Sequence, residues 1–142
     1  MSLDKLITRF RGADKDLRLE AVLDAAKRLP PLPERLAVDR DRESHRITEC
    51  QTPVFLWFER DGDAIRMFAE VPREAPTVRG FVSLLIKHLD GASSAAYAAV
   101  PADLLALLRL DEVLGMMRTR GLSAIVGRVR RAGTELGRPP SP

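Results

Sequence analysis

The order of periodic segments predicts an α+β domain, in which helices pack on a small three-stranded antiparallel sheet. Two amphipathic helical segments come first, three short strand-like segments follow, and the rest of the chain returns to helical periodicity. The turn signal Asp61-Gly62-Asp63 separates two of the strand-like runs and is typical of a hairpin.

The N-terminal helices are predicted from their apolar spacing and from their end signals. Leu3, Leu6, Ile7 and Phe10 repeat at helical intervals and predict a helix over residues 3–11. A second helix is predicted over 14–28, with Asp14 as its N-cap. Its apolar face is predicted from Leu17, Ala21, Val22 or Leu23, Ala25 and Ala26. The prolines at 30, 31 and 33 end this helix, and residues 34–45 are predicted to be irregular.

The strands are predicted at residues 46–48, 54–59 and 64–70. Residues 54–59 are predicted to form the middle strand. Phe55 and Trp57 point to one face, and Val54, Leu56 and Phe58 point to the other, so we expect both faces to be covered.

Helical periodicity resumes after residue 72. The predicted elements are a strongly apolar helix over 76–89, short helices in SSAAYAAV and PADLLALLRL, a turn at 111–114 and a last helix over 120–132, capped by Gly133. The domain is predicted to span residues 1–133, with a disordered tail over 134–142.

Composition limits the classes of function. One cysteine in 142 residues excludes an internal disulfide and a metal site built from the chain's own thiolates. We find neither a membrane span nor a signal peptide and expect a cytoplasmic protein. The net charge of +3 is small. The basic segment 118–131 lacks the aromatic residues that stack on bases, so we expect no nucleic-acid partner.

Cys50 is predicted to lie at a tip between a short and a longer strand, where a thiol can be presented to a partner. Cationic neighbours such as His45 and Arg46 would lower its pKa and make it more reactive. An inert, buried cysteine is the alternative. A Cys–His hydrolase is disfavoured, because the chain has only His45 and His88 as bases and no asparagine.

Four parts of the chain, spanning residues 3–131, carry a family resemblance. They are LDKLITRF with AAKRLPPLPERL (25–36), ECQTPVFLWFE (49–59), VRGFVSLLI (78–86) and MRTRGLSAIVGRVR (117–130). In order and spacing they resemble the opening helix with its "lpxLP" stop, the "GCQSxVWL" cysteine segment, the "VRGLxALL" helix and the closing "SRxxGLxAMxxxI" segment of the SufE family.

The resemblance implies a SufE/IscU-like fold and a persulfide acceptor of iron–sulfur cluster assembly. Cys50 matches the cysteine that accepts sulfane sulfur from a PLP-dependent, SufS-like cysteine desulfurase and delivers it to a SufBCD-like scaffold complex. Gln51 and Arg118 match supporting positions, and 78–80 match the start of the central helix, where Arg79 is equally well read as a solvated residue. The resemblance also implies that the chain itself needs no cofactor, and that it activates the desulfurase rather than acting as an enzyme.

Three departures from the family pattern leave a second function open. Glu49 replaces the glycine before the cysteine and should raise the pKa of the thiol. Thr52 replaces serine, and Pro72-Arg73-Glu74 replaces "DSD". The alternative is therefore a module that binds and modulates a desulfurase without carrying sulfur. Phe55 and Trp57 are interpreted as core residues. The alternative is that one of them forms an apolar cover over the sulfur of Cys50.

Overall fold

A computed structural model describes residues 3–137 as a mixture of helices and three short strands. Its elements in chain order are α1 (Leu3–Gly12), α2 (Lys15–Ala26), α3 (Glu34–Ala37), a 3₁₀-helix (Arg42–His45), β1 (Phe55–Asp61), β2 (Ala64–Glu70), α4 (Pro76–Leu89), β3 (Ala92–Ser93), α5 (Ser94–Ala98), α6 (Leu104–Leu107) and α7 (Met116–Leu136). None of the helices in this part of the chain is long and apolar enough to cross a membrane.

The sheet is three-stranded and antiparallel, in the order β1-β2-β3, which confirms the predicted fold class. β1 and β2 form the predicted hairpin around Gly62, whose φ of 62° suits a glycine in a tight turn. The predicted strand at 46–48 is wrong, because Arg46 makes only an isolated bridge to Phe55 before the chain turns. The third strand is β3, at the other edge. Its two residues are too few to produce an alternating pattern in the sequence.

β1 is therefore an edge strand, and β2, not residues 54–59, is the middle strand. The prediction that both faces of β1 are covered is confirmed. Val54 and Leu56 enter the main core, whereas Phe55 and Trp57 pack with Leu36 in a second apolar cluster. Residues 34–45, predicted to be irregular, contain α3 and the 3₁₀-helix, and Leu36 of α3 covers this second face.

α2 meets the sheet-packing helix α4 through a close contact at Gly80. The side chain of Asp14 caps α2 by accepting a hydrogen bond from the N–H of Leu17, as predicted. The predicted apolar face is partly wrong, because Leu17 is 54% exposed while Arg18 is buried. Arg18 is stabilised there by donating from Nη1 to the carbonyl of Ala13 at 2.6 Å, at the end of α1.

α7 is longer than predicted at both ends. It begins at Met116 and continues to Leu136, so Gly133 lies inside the helix and does not cap it. A Cβ on Gly133 would lie 2.3 Å from the backbone nitrogen of Ala98, so this glycine allows α5 and α7 to pack closely. Residues 134–136, predicted as part of the tail, continue the helix. Residues 138–142 lie outside the described part of the chain, and the predicted domain boundary stays a prediction.

Candidate functional site

The turn that carries Cys50 is closed at its base by two buried residues. The backbone N–H of Ile47 donates to the carbonyl of Val54 at 2.8 Å, and both side chains are fully buried. Within the turn, the N–H of Cys50 donates to the carbonyl of Ile47 at 3.1 Å. Residues 48–53 therefore form a short excursion whose two ends are fixed to the core, just before β1 begins.

Cys50 is buried, with 7% of its surface exposed, and its sulfur packs against α7. A Cβ built on Gly121 would lie 2.8 Å from Cys50 Sγ, which is shorter than real carbon–sulfur contacts. Gly121 is thus the residue that allows the thiol to approach the helix. Glycine inside a helix is intrinsically unfavourable, but it does not by itself reveal a close approach, since Gly127 of the same helix has open space around it.

The sulfur lines a small pocket of about 140 Å³ between the Cys50 turn, the start of α4 and the start of α7. The lining residues are Cys50, Gln51, Thr52, Glu74, Ala75, Val78, Met117, Arg118 and Gly121. Arg118 is held in place by donating from Nη1 to Thr77 Oγ1 at 2.9 Å. Gln51 Nε2 points to Met117 Sδ at 3.9 Å. The structure therefore brings Cys50, Gln51 and Arg118 together around one opening.

The electrostatic environment disfavours the thiolate of Cys50. Burial raises the pKa of the thiol to about 11, and the adjacent carboxylate of Glu49 contributes in the same direction. The prediction that Glu49 raises the pKa of Cys50 is confirmed in direction. The expected lowering of the pKa by His45 and Arg46 is wrong, because the pKa is raised and neither residue contributes to the shift.

Neither histidine of the chain can serve as a base for Cys50. His45 stacks on Trp57, and its Nδ1 donates to the carbonyl of Leu56 at 3.1 Å, against the second apolar cluster. His88 lies ten residues beyond Val78 on α4, about 15 Å along the helix axis. Burial lowers the pKa of His88, with Lys87 next among the causes. The hydrolase alternative therefore has no Cys–His pair.

Three other residues singled out in the sequence lie away from the pocket. Arg79 is structural, because its Nε donates to the carbonyl of Ala26 at 3.0 Å and its Nη1 to that of Val71 at 2.6 Å, tying the end of α2 to the end of β2. Phe55 and Trp57 belong to the second apolar cluster and do not line the pocket. Met117, Thr77 and Gly121 were not predicted as site residues, since their neighbours come from distant parts of the sequence.

The rate of Cys50 alkylation is expected to keep rising with pH well beyond the range of an ordinary thiol. Only the thiolate reacts, and its fraction grows about tenfold per pH unit until the pH approaches the pKa of about 11. Iodoacetamide rates measured from pH 7 to pH 11 test this profile. Glu49→Gln should move the profile to lower pH and raise the rate at pH 8 by roughly threefold, whereas Glu20→Gln on α2 should not. A plateau near pH 8–9 in the wild type would contradict the raised pKa.

Adding one methyl group at Gly121 is expected to displace the Cys50 turn. α7 is anchored by fully buried residues such as Leu122 and Ile125, so the exposed turn moves rather than the helix. Gly121→Ala should therefore increase the alkylation rate of Cys50 by about tenfold, by opening its site. Gly127→Ala, on the same helix and with open space around it, is the matched control. An unchanged alkylation rate in Gly121→Ala would show that the Cys50 side chain rotates into the pocket to make room for the methyl group, and that the turn does not move.

Within residues 3–137 no group of three or more histidine, cysteine or carboxylate side chains is arranged to hold a metal ion. The fold and the site together define a small α+β protein with one buried thiol. The thiol lies on a turn whose two ends are fixed to the core, and Arg118 lines the pocket beside it.

The comparisons with known proteins assign this class of protein to a family. The family model for SufE, described as an Fe–S metabolism associated domain, matches residues 4–133. The chain therefore belongs to the SufE family, which is associated with Fe–S metabolism. Two uncharacterized SufE-like proteins, from two strains of Mycobacterium tuberculosis, are each 35% identical to it over 130 residues, which cover 91% of this chain and 89% of theirs.

A solved structure has the same fold. The solution structure of a hypothetical protein from Thermus thermophilus is similar to this chain, with a TM-score of 0.79 and 33% sequence identity. The match covers 95% of this chain and 97% of the other. The structural similarity therefore extends over nearly the whole of both chains.

Proposed function

We propose that the protein accepts sulfane sulfur on Cys50 from a SufS-like cysteine desulfurase and delivers it to a SufBCD-like iron–sulfur scaffold complex. The observation that carries the proposal is the placement of the chain's single thiol, on a clamped turn beside a small pocket with Arg118 at its rim. Membership of a family associated with Fe–S metabolism supports the same function.

The transfer is a thiol exchange in which atoms and electrons balance. The thiolate of Cys50 attacks the outer sulfur of the desulfurase persulfide, and the new bond forms between Cys50 Sγ and that sulfur. The bond between the two donor sulfurs breaks, and the desulfurase cysteine leaves as a thiolate. No outside oxidant is needed, because the oxidised sulfur passes from one thiol to the other. PLP belongs to the donor, so the acceptor uses no cofactor of its own.

The pocket has the chemistry to hold the product. Its volume of about 140 Å³ accommodates an additional sulfur atom beside Cys50, and the guanidinium of Arg118 can pair with the negative charge of a persulfide anion. No second cysteine exists in the chain to convert the persulfide to a disulfide. A lone free thiol persists best in a reducing compartment, which favours the cytoplasm as its location.

A modulator that binds the desulfurase without carrying sulfur is the second candidate. The raised pKa of Cys50 favours it, because a protonated thiol is a poor acceptor. The transfer proposal therefore requires that docking of the desulfurase brings the thiol into an environment where it loses its proton.

Intact mass tests the proposal directly. The purified protein is incubated with an active cysteine desulfurase and free cysteine, and its mass is measured with and without dithiothreitol. We expect a gain of one sulfur atom that dithiothreitol removes. Binding to an active desulfurase without any gain in mass would favour the modulator.

A further inference from the structure

The two most exposed methionines of the described chain are neighbours in the first turn of α7, and one of them lines the Cys50 pocket. Met116 is 90% exposed and Met117 is 63% exposed, and Met117 also lines the pocket. Met67, in contrast, is 2% exposed in the main core. Leaving two large apolar side chains in water forgoes roughly 1.5–3 kcal/mol for each, relative to burial.

Their exposure follows from the position of α7. Met116 and Met117 form its first turn, immediately after Gly115, and the first buried residues of the helix are Gly121 and Leu122. Gly115 provides no side-chain cap for this turn. The first turn of α7 thus extends outside the core and carries apolar side chains where polar capping residues are common.

We propose that Met116 and Met117 are the apolar anchor by which the cysteine desulfurase docks on this protein. Because the desulfurase is the donor in the proposed function, this inference rests on that function. A sulfur–sulfur bond is about 2 Å long, so the donor's persulfide must reach into the pocket of Cys50. The donor's surface must then cover the mouth of that pocket, where Met117 and Gln51 meet.

The chemistry of the two side chains defines the surface they fit. Methionine is flexible and polarisable, and it is suited to filling irregular apolar clefts on a partner. Arg120 follows in the same helix and is exposed, and no carboxylate of residues 3–137 forms an ion pair with it. The partner surface is therefore an apolar cleft for the methionines with an acidic group toward Arg120.

Equilibrium binding tests the anchor independently of sulfur transfer. In a Cys50→Ser background, the affinity for a PLP-dependent cysteine desulfurase of the same organism is measured by titration calorimetry. We expect Met116→Ala with Met117→Ala to raise Kd by about tenfold or more, which corresponds to about 1.4 kcal/mol. Val38→Ala is the matched control, because Val38 is also strongly exposed, at 71%, but lies at the end of α3 and does not line the Cys50 pocket.

The two substitutions should leave the fold intact, since both side chains lie on the surface. A Kd unchanged by the double substitution, or raised equally by Val38→Ala, would overturn the anchor, and so would the absence of measurable binding by the Cys50→Ser parent. Loss of affinity in the double variant, with no sulfur on Cys50 of the wild type, would support the anchor and reject the transfer function. The docking proposal and the sulfur-transfer proposal are therefore tested by different results.

In the transfer assay, the same substitutions should act through docking. The apparent KM for the acceptor should rise by about tenfold, and the rate at saturating acceptor should change by less than about twofold. A fall in the saturating rate with an unchanged KM would overturn the anchor, since it would assign these residues to the transfer step.

Discussion

Cys50→Ser is expected to abolish the gain of sulfur completely, because the chain contains no other thiol. A serine hydroxyl is nearly isosteric with the thiol but cannot form a persulfide. The turn stays fixed by the backbone bond between Ile47 and Val54, which the substitution does not touch. The fold should therefore survive, with a loss of no more than about 1–3 kcal/mol in the free energy of unfolding, because the serine hydroxyl is buried where the thiol packed. Intact mass after incubation with desulfurase and cysteine measures the first effect, and urea denaturation measures the second.

The same variant separates the two candidate functions. If the protein carries sulfur, Cys50→Ser should bind the desulfurase but fail to increase its turnover of cysteine. Stimulation that survives the substitution would identify a modulator. Sulfur bound to the variant in a form that dithiothreitol removes would contradict the assignment of Cys50 altogether.

Gly80→Ala is expected to give the largest loss of stability among the substitutions considered. A Cβ at this position would lie 1.9 Å from the carbonyl oxygen of Val22 and 2.7 Å from its carbonyl carbon. Both atoms are backbone, so no side-chain rotation relieves the overlap, and α2 must move away from α4. The cost is about 3 kcal/mol or more in the free energy of unfolding, measured by urea denaturation.

Gly127→Ala provides the comparison for Gly80→Ala. Gly127 is also helical, but a Cβ there would meet nothing within 4 Å. It should stabilise the protein by up to about 1 kcal/mol, through helix propensity alone. Similar unfolding free energies for the two variants would show that the contact between α2 and α4 is not close in solution. Because α4 also carries Thr77 and Val78, separation of the helices should disturb the pocket as well.

Long periodic elements were predictable because their signals are local. α1 and α4, the cap at Asp14 and the β1–β2 hairpin were predicted close to their observed bounds. Periodicity did not determine which face of α2 is buried, since either Val22 or Leu23 fitted the apolar pattern. The structure buries Val22 and Arg18 and exposes Leu17, because Arg18 donates to the carbonyls of Phe10 and Ala13 at the end of α1.

The site was predictable only in part. Its reactive atom was identified because the chain has a single thiol, and Arg118 was identified from the family resemblance. The close approach of Gly121 to Cys50 joins residues from distant parts of the chain, and periodicity contains no information on such a contact. The pKa of Cys50 depends mainly on burial, a tertiary property, so sequence neighbours such as His45 gave the wrong sign while Glu49 gave the right one.

The burial of Cys50 also affects how readily its thiol is oxidised by peroxides. With a pKa of about 11, the thiolate fraction at neutral pH is about a hundredfold lower than that of an unperturbed thiol. Peroxides attack the thiolate, and oxidation beyond the sulfenic acid is largely irreversible. A protein whose only thiol is kept protonated should therefore be oxidised slowly by peroxides.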